Sequence, residues 1–121
     1  MRLFMGVLTC ALLLFCGCSN REIMEVRQMA INDVDITKIS DGNYRGSFTY
    51  GKFTYEVETT VKHGQIRSIN ILSNRTTKPA KMAEGVIPRV IQQQKINVDA
   101  VSGATTTSKA LLKAIENSLK Q

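Results

Sequence analysis

The segment 99–108 contains the residue types with the clearest capacity for chemistry in this chain. It reads DAVSGATTTS, with five hydroxyl side chains, one carboxylate and one glycine. Serine and threonine hydroxyls accept hydrogen bonds from the unpaired amides that open a helix, and glycine tolerates backbone angles that other residues avoid. One interpretation is therefore a capped turn with a structural role. The other is a turn that holds a phosphate group, because helix-opening amides and the positive end of the helix dipole attract anions.

In the second interpretation, Thr105 is the natural point of covalent attachment. Gly103 and Ala104 precede it, and we expect their small size to leave space for a bulky phosphate donor and a modifying enzyme. The segment is not a Walker loop, because no lysine follows the glycine at the required spacing.

Cysteine and histidine are almost absent from the chain after its N-terminal apolar run. Cys10, Cys16 and Cys18 all lie near the N-terminus, and His63 is the single histidine. A disulfide framework, a CxxC redox pair and a cysteine–histidine zinc site each need several such residues within the domain. The sequence therefore excludes cysteine redox chemistry and zinc chemistry downstream of Cys18.

Composition indicates one small globular domain. The chain has 121 residues, of which 43% are hydrophobic and 21% are charged, and this balance is sufficient for a packed core. Sixteen basic and ten acidic side chains give a net charge of +6. Because this charge is dispersed along the chain rather than gathered in a block, it does not predict nucleic-acid binding.

The N-terminus predicts export. Arg2 precedes an uncharged run of residues, 3–17, which is short for a membrane-spanning helix and typical of a signal peptide. The run leads into FCGCS, which resembles a bacterial lipobox with Cys18 as the acylated residue. We therefore expect a lipoprotein signal peptide at 1–17 and a membrane-proximal spacer at 18–40. An ordinary cleaved signal and an uncleaved apolar anchor are the alternatives.

Alternating apolar residues predict three antiparallel strands, at 44–50, 53–62 and 66–72. Two short turns join them, one at residues 51–52 with glycine first, as a type II′ turn requires, and one at residues 63–64. The third strand departs from strict alternation, which predicts a bulge or burial on both faces.

The C-terminal part of the chain predicts helices that cover this sheet, so the expected fold class is α+β. Residues 81–95 have a helical pattern, and Pro88 is expected either to follow a short helix or to lie in the first turn of a helix. The last helix is expected to begin near Thr107 or Ser108, either of which can cap it. Its predicted buried stripe is Leu111, Leu112, Ile115 and Leu119, with Lys109, Lys113, Glu116 and Lys120 outside the stripe.

The sequence DAVSGAT, residues 99–105, followed by TTSKALLKAIENSL, resembles the motif of the FMN-binding domain family, and the resemblance extends over residues 41–119. That family includes one of the subunits of the sodium-pumping NADH:quinone oxidoreductase. In the family, the threonine that closes the motif accepts FMN through a phosphoester bond, which a flavin transferase forms from FAD with magnesium. The resemblance implies an FMN-binding domain at 41–121 with FMN attached to Thr105. The residues that it implies as the recognised context are Asp99, Ser102, Gly103 and Ala104.

The same resemblance implies an electron carrier, lipid-anchored on the extracytoplasmic side of the bacterial cell envelope, and the lipoprotein signal agrees with it. A phosphoester leaves the flavin ring able to pass one or two electrons, and we expect no catalysis of a substrate reaction. The expected partners are the flavin transferase, redox proteins or quinone-linked electron donors at the membrane, and the membrane itself, without nucleic acid. Noncovalent FMN binding and a non-redox module that binds an anion are the alternatives.

Other side chains have weaker claims on a ligand. Aromatic residues at strand spacing could stack on a flavin, although they more often belong to a core; they are Tyr44, Phe48, Tyr50, Phe53 and Tyr55. Basic residues could receive a phosphate or an acidic partner, although a solvated face is their more common position; they are Lys78, Lys81, Arg89 and Lys95.

Overall fold

The computed structural model of the protein describes residues 21–120. The predictions for the signal peptide and for acylation of Cys18 lie outside this range. The described chain contains helix α1 (residues 21–28), a 3₁₀ turn (Ile36–Lys38), strands β1 (Gly42–Tyr50), β2 (Phe53–Lys62) and β3 (Gln65–Ser73), and helices α2 (Lys78–Ala83), α3 (Val86–Gln93) and α4 (Thr105–Leu119). Within it, no helix combines the length and the apolar character needed to cross a membrane.

The three strands form one antiparallel sheet in the order β1-β2-β3, with α4 packed across β1 and β2. The predicted α+β class is confirmed. Tyr50 pairs with Phe53 across the first turn, where Gly51 has a φ of 57°. His63 and Gly64 both have positive φ in the second turn, as a type I′ turn requires.

Strand β3 contains the predicted irregularity in the form of two bulges. The register with β2 shifts once between Ile66 and Ser68 and again between Ile71 and Ser73, so Arg67 and Leu72 have no pairing partner on β2. A bulge increases local twist and turns side chains away from their regular face. Ile66 and Ile69 consequently remain buried, whereas Leu72 is exposed.

Alternation along β2 divides the sheet into a buried face and a wet face. Its inward side chains Tyr55, Val57, Thr59 and Val61 are all buried. They meet the predicted apolar stripe of α4, since Leu111, Leu112, Ile115 and Leu119 are buried as well. Thr59 brings a polar group into this interface, and its hydroxyl is satisfied by a 2.9 Å hydrogen bond with the hydroxyl of Ser118.

Gly46 allows α4 to approach β1 closely. A side-chain carbon at this position would overlap the backbone nitrogen of Ser118 and the carbonyl oxygen of Ala114. Because both obstacles are helix backbone, they cannot move aside as a flexible side chain could. The distance between helix and sheet is therefore set by the absence of a side chain at Gly46.

Pro88 lies in the first turn of α3, which is one of the two positions predicted for it. Helix α2 ends at Ala83 and α3 starts at Val86. Proline lacks an N–H group, and an N–H in the first turn of a helix has no helical acceptor in any case. The pattern at 81–95 thus represents two short helices with a break ahead of the proline.

Residues 26–39 pack against the domain, although their sequence predicts a spacer. Val26, Ile31 and Ile36 are buried, and Asp33 Oδ1 accepts hydrogen bonds from the backbone N–H groups of Ile96 and Asn97. Their apolar residues show neither helical nor strand period, because a largely irregular chain is anchored at separate points. Periodicity therefore had no means of detecting this packing.

Glu116 is fully buried, in contrast to its predicted place outside the apolar stripe of α4. Its carboxylate accepts a 2.8 Å hydrogen bond from the backbone N–H of Asn32 and forms ion pairs with Lys113 and Lys120 at 3.0 and 2.9 Å. Burial by itself would raise the pKa of Glu116, but these three donors more than offset it and hold that pKa below its ordinary value. The carboxylate thereby fastens the N-terminal segment to α4.

We predict that Glu116→Gln removes part of the pH dependence of stability. A carboxyl group with a lowered pKa in the folded state stabilises the protein above its unfolded pKa of 4.5, and this stabilisation is lost as the pH falls through the folded value. The variant should lower the free energy of unfolding by about 1–3 kcal/mol near neutral pH. It should also flatten the decline below about pH 4.5, measured by urea denaturation.

The matched control is Lys120→Gln, which removes a partly exposed partner and should cost less than about 1 kcal/mol. An acid-induced decline as steep in Glu116→Gln as in the wild type would contradict the role assigned to this carboxylate.

Candidate functional site

The predicted hydroxyl-rich segment forms a tight turn in front of α4. The Ala104 N–H donates to the carbonyl of Val101 at 2.9 Å, and Gly103 has a φ of 81°. A positive φ at the third residue of such a turn is characteristic of a type II turn and favours glycine. A side-chain carbon at Gly103 would meet nothing within 4 Å, so the turn also leaves an open side.

Helix α4 begins at Thr105, two residues before the predicted start. Ala104 occupies the capping position and makes no side-chain hydrogen bond to the helix. Ser108, predicted as a possible cap, instead accepts a 3.1 Å hydrogen bond from the Val101 N–H through its hydroxyl. It therefore ties the turn back onto the helix and leaves the opening amides of α4 without a side-chain cap.

A cleft of about 540 Å³ opens beside this turn. It is formed by helix α1, the end of β1, the segment that follows β3 with the start of α2, and the turn before α4 with the start of that helix. The lining residues are Ile23, Arg27, Tyr50, Arg75, Thr77, Pro79, Gly103, Ala104, Thr105, Thr106 and Thr107. This lining contains two arginines and no carboxylate, so it is electropositive.

Arg75 is held in place from two sides. Its guanidinium carbon lies 3.9 Å from the centre of the Phe53 ring, a cation–π contact. Its backbone N–H donates to Asn74 Oδ1 at 2.7 Å, and Asn74 in turn donates to the Ala80 carbonyl and to Glu84 at 2.9 Å each. Arg75 forms no ion pair with any of residues 21–120, so its charge is available to a ligand.

An aromatic cluster stands at the same end of the sheet. Tyr50 stacks on Tyr55 with ring centres 5.8 Å apart and an angle of 14°, and its edge meets Phe53 at 5.8 Å. Tyr55 is fully buried; burial and its hydrogen bond to the Tyr50 hydroxyl raise the pKa of Tyr55 to about 12. Tyr55 thus belongs to the core and stays neutral, whereas the half-buried Tyr50 faces the cleft.

The structure separates the motif residues into two groups. Gly103, Ala104 and Thr105 line the cleft; Thr105 is half-buried, and Ala104 also packs into the hydrophobic core. Asp99 and Ser102 are exposed and lie outside the cleft lining. The small size of Ala104 therefore serves core packing in addition to any space that it leaves for a ligand.

Arg89 holds the backbone of residues 99–100, at the start of the motif, through hydrogen bonds. Its guanidinium Nη1 donates to the carbonyl oxygens of Asp99 and Ala100 at 2.7 and 3.2 Å. The side chain of Arg89 thus has a structural task, distinct from the solvated position considered for it from the sequence.

Arg27 and Arg75 are cleft residues that the sequence did not single out. The position of Arg75 near Tyr50 could have been predicted from the sequence. In a three-stranded meander β1 and β3 run in the same direction, so the residues after β3 lie at the same end of the sheet as Tyr50. Arg27 had no comparable signal, since it reaches the cleft from a helix that precedes the sheet by more than a dozen residues.

A family model described as FMN-binding domain matches residues 50–120, from the end of β1 through α4, and so includes the whole turn. The chain belongs to the FMN-binding domain family. An uncharacterised protein of Treponema pallidum (strain Nichols) is 29% identical over 86 residues, which cover 69% of this chain and 24% of that protein. The matched region is thus a minor part of that relative's length.

The cleft residues fit the chemistry of FMN. The volume of the cleft lies within the range of small-molecule sites. Arg27 and Arg75 supply charge for a phosphate, and Tyr50 and Ile23 supply aromatic and apolar surface for a ring system. Thr105 places a hydroxyl at the uncapped start of a fifteen-residue helix, where an anion is stabilised. When bound, FMN would add the capacity to accept and release electrons.

We predict that Arg89→Met loosens the turn without disturbing the sheet. Loss of two hydrogen bonds from a charged donor should lower the free energy of unfolding by about 1–2 kcal/mol. Amide hydrogen exchange should accelerate at residues 101–104, measured by mass spectrometry. Arg67→Met, at an exposed bulge of β3, is the control and should stay within about 0.5 kcal/mol of the wild type. Unchanged exchange at 101–104 in Arg89→Met would refute this role.

Proposed function

We propose that this protein carries FMN bound covalently to Thr105 through a phosphoester and acts as an electron carrier rather than as an enzyme. The observation that carries the proposal is the position of Thr105, which places a half-buried hydroxyl in an electropositive cleft directly after an open turn. Flavin binding follows from the family; the covalent bond and the carrier role are our extension.

The attachment requires a donor and a transferase. The Thr105 oxygen forms a bond to the flavin phosphate of FAD, the diphosphate bond breaks, AMP leaves, and the hydroxyl proton passes to a base of the transferase or to solvent. The exposed turn at 102–103 supports this step, because a transferase must reach the hydroxyl from outside.

The lining of the cleft supports an electron-carrier role. It consists of hydroxyl, apolar, aromatic and arginine side chains. Among the described residues, the lining includes no histidine and no carboxylate, the side chains that most often act as general acids and bases. We therefore propose that the chain contributes position and electrostatic field to the flavin, while redox proteins or quinone-linked donors supply the electrons.

We further propose that Cys18 is acylated and that the domain lies on the extracytoplasmic surface of a bacterial membrane. Cys18 lies three residues before Arg21, the first described residue of α1. Since α1 is a wall of the cleft, an acyl anchor at Cys18 would keep the flavin close to the membrane surface, within reach of membrane-bound partners.

The test of covalent attachment is Thr105→Ala beside Thr106→Ala, in cells that contain the flavin transferase. Both threonines are half-buried and line the cleft, so they form a matched pair. The wild type and Thr106→Ala should gain the mass of one FMN less one water and fluoresce in a denaturing gel, whereas Thr105→Ala should do neither. Flavin released by denaturant from the wild type would indicate noncovalent binding instead.

The test of the anchor is Cys18→Ser. The wild type should partition into the detergent phase, because two or more acyl chains give stable membrane attachment, and the variant should lose the acyl mass. Acyl chains still present on the variant would place the anchor at another residue.

A further inference from the structure

The two arginines of the cleft belong to different elements of the chain. Arg75 follows β3 and is fixed by Phe53, whereas Arg27 belongs to α1. Both line the same cleft as Thr105, and neither forms an ion pair within residues 21–120. Two arginines without ion-pair partners in the described range, lining one cleft, favour the binding of an anion there, because charge-assisted hydrogen bonds to an anion are strong.

Helix α1 is held to the domain by few contacts. Val26 is its single buried residue among 21–28, while Ile23 and Met24 are 43% and 52% exposed. No α1 side chain in the described range hydrogen-bonds to the rest of the domain. Because these described contacts are few, one added charge-assisted contact would have a large effect on the docking of this helix.

We propose that Arg27 and Arg75 together hold the phosphodiester group on Thr105, and that this contact fastens α1 over the cleft. The inference rests on the proposed covalent attachment and adds to it the residues that bind the phosphate and the element that responds. Arginine suits this task, because its planar set of N–H donors matches phosphate oxygens in pairs. Arg75 is already oriented by Phe53 before the phosphate binds, whereas Arg27 reaches the phosphate when α1 packs against the domain.

The first measurement is cleavage by a glutamate-specific protease. Glu22 and Glu25 are exposed on α1, so cleavage after them reports how often α1 leaves the domain. Full-length protein loaded with FMN should be cut there roughly tenfold more slowly than unloaded protein, given the usual strength of a hydrogen bond between charged groups. Arg27→Gln should abolish this difference. Arg21→Gln, on the same helix but outside the cleft lining, should preserve it.

Cleavage rates of the unloaded proteins test whether Arg27→Gln weakens α1 even without FMN. Unloaded Arg27→Gln and unloaded wild type should be cut at equal rates. Higher salt should weaken the protection in the loaded wild type, because the contact is between charges on a partly exposed surface.

The second measurement is the phosphorus NMR signal of the loaded protein. Arg27→Gln and Arg75→Gln should each shift the resonance of the phosphodiester, whereas Arg21→Gln and Arg67→Gln should leave it in place. Arg75→Lys, which keeps the charge without the paired donors, should shift it less than Arg75→Gln.

The outcomes separate the two proposals. A wild type without the FMN mass gain overturns the proposed function, and this inference with it. A mass gain at Thr105 with equal protease rates in loaded and unloaded protein overturns the fastening of α1 and the role of Arg27. A phosphorus resonance that neither glutamine variant moves overturns the arginine site while leaving the covalent attachment intact.

Discussion

The position of α4 against the sheet follows from its close approach to β1 at Gly46. A side chain there would overlap the backbone of α4 at Ala114 and Ser118, so the helix can lie this close to the sheet only because residue 46 is glycine. The buried apolar stripe of α4 then fills the inner face of β2. This packing directs the start of α4, with Thr105, to the sheet edge where Tyr50 ends β1. The position of the cleft therefore follows from the packing of α4 on the sheet.

Buried polar contacts give this packing a unique arrangement. Glu116 is fully buried, and its carboxylate is satisfied by the Asn32 N–H and by two lysines. The Thr59 and Ser118 hydroxyls satisfy each other between sheet and helix. Departure of the N-terminal segment would remove the Asn32 N–H from this carboxylate, so the hydrogen bond favours the packed position of that segment. These contacts extend the domain to residues that precede the sheet.

The cleft combines a fixed wall with a weakly held one. Arg75 is oriented by Phe53 and by the neighbouring turn, and the start of α4 is secured through Ser108 and Arg89. Helix α1 lines the cleft through Arg27, and Val26 is the one buried side chain among its described residues 21–28. In such an arrangement, a cofactor would enter a site whose other residues are already positioned, and it would then gain contacts with helix α1. These contacts also connect the cofactor to the part of the chain that lies nearest the proposed anchor.

Sequence patterns alone predict the three strands, their turns, the apolar stripe of α4 and the position of Thr105 next to a glycine turn. These features depend on local period and turn chemistry, which neighbouring residues carry. The burial of Glu116, the packing of residues 26–39, and the presence of both Arg27 and Arg75 in the lining of one cleft appear only in the folded chain. Each of these joins residues that are far apart in the chain. No local pattern records such a pairing, because it arises only when helix and sheet are packed together.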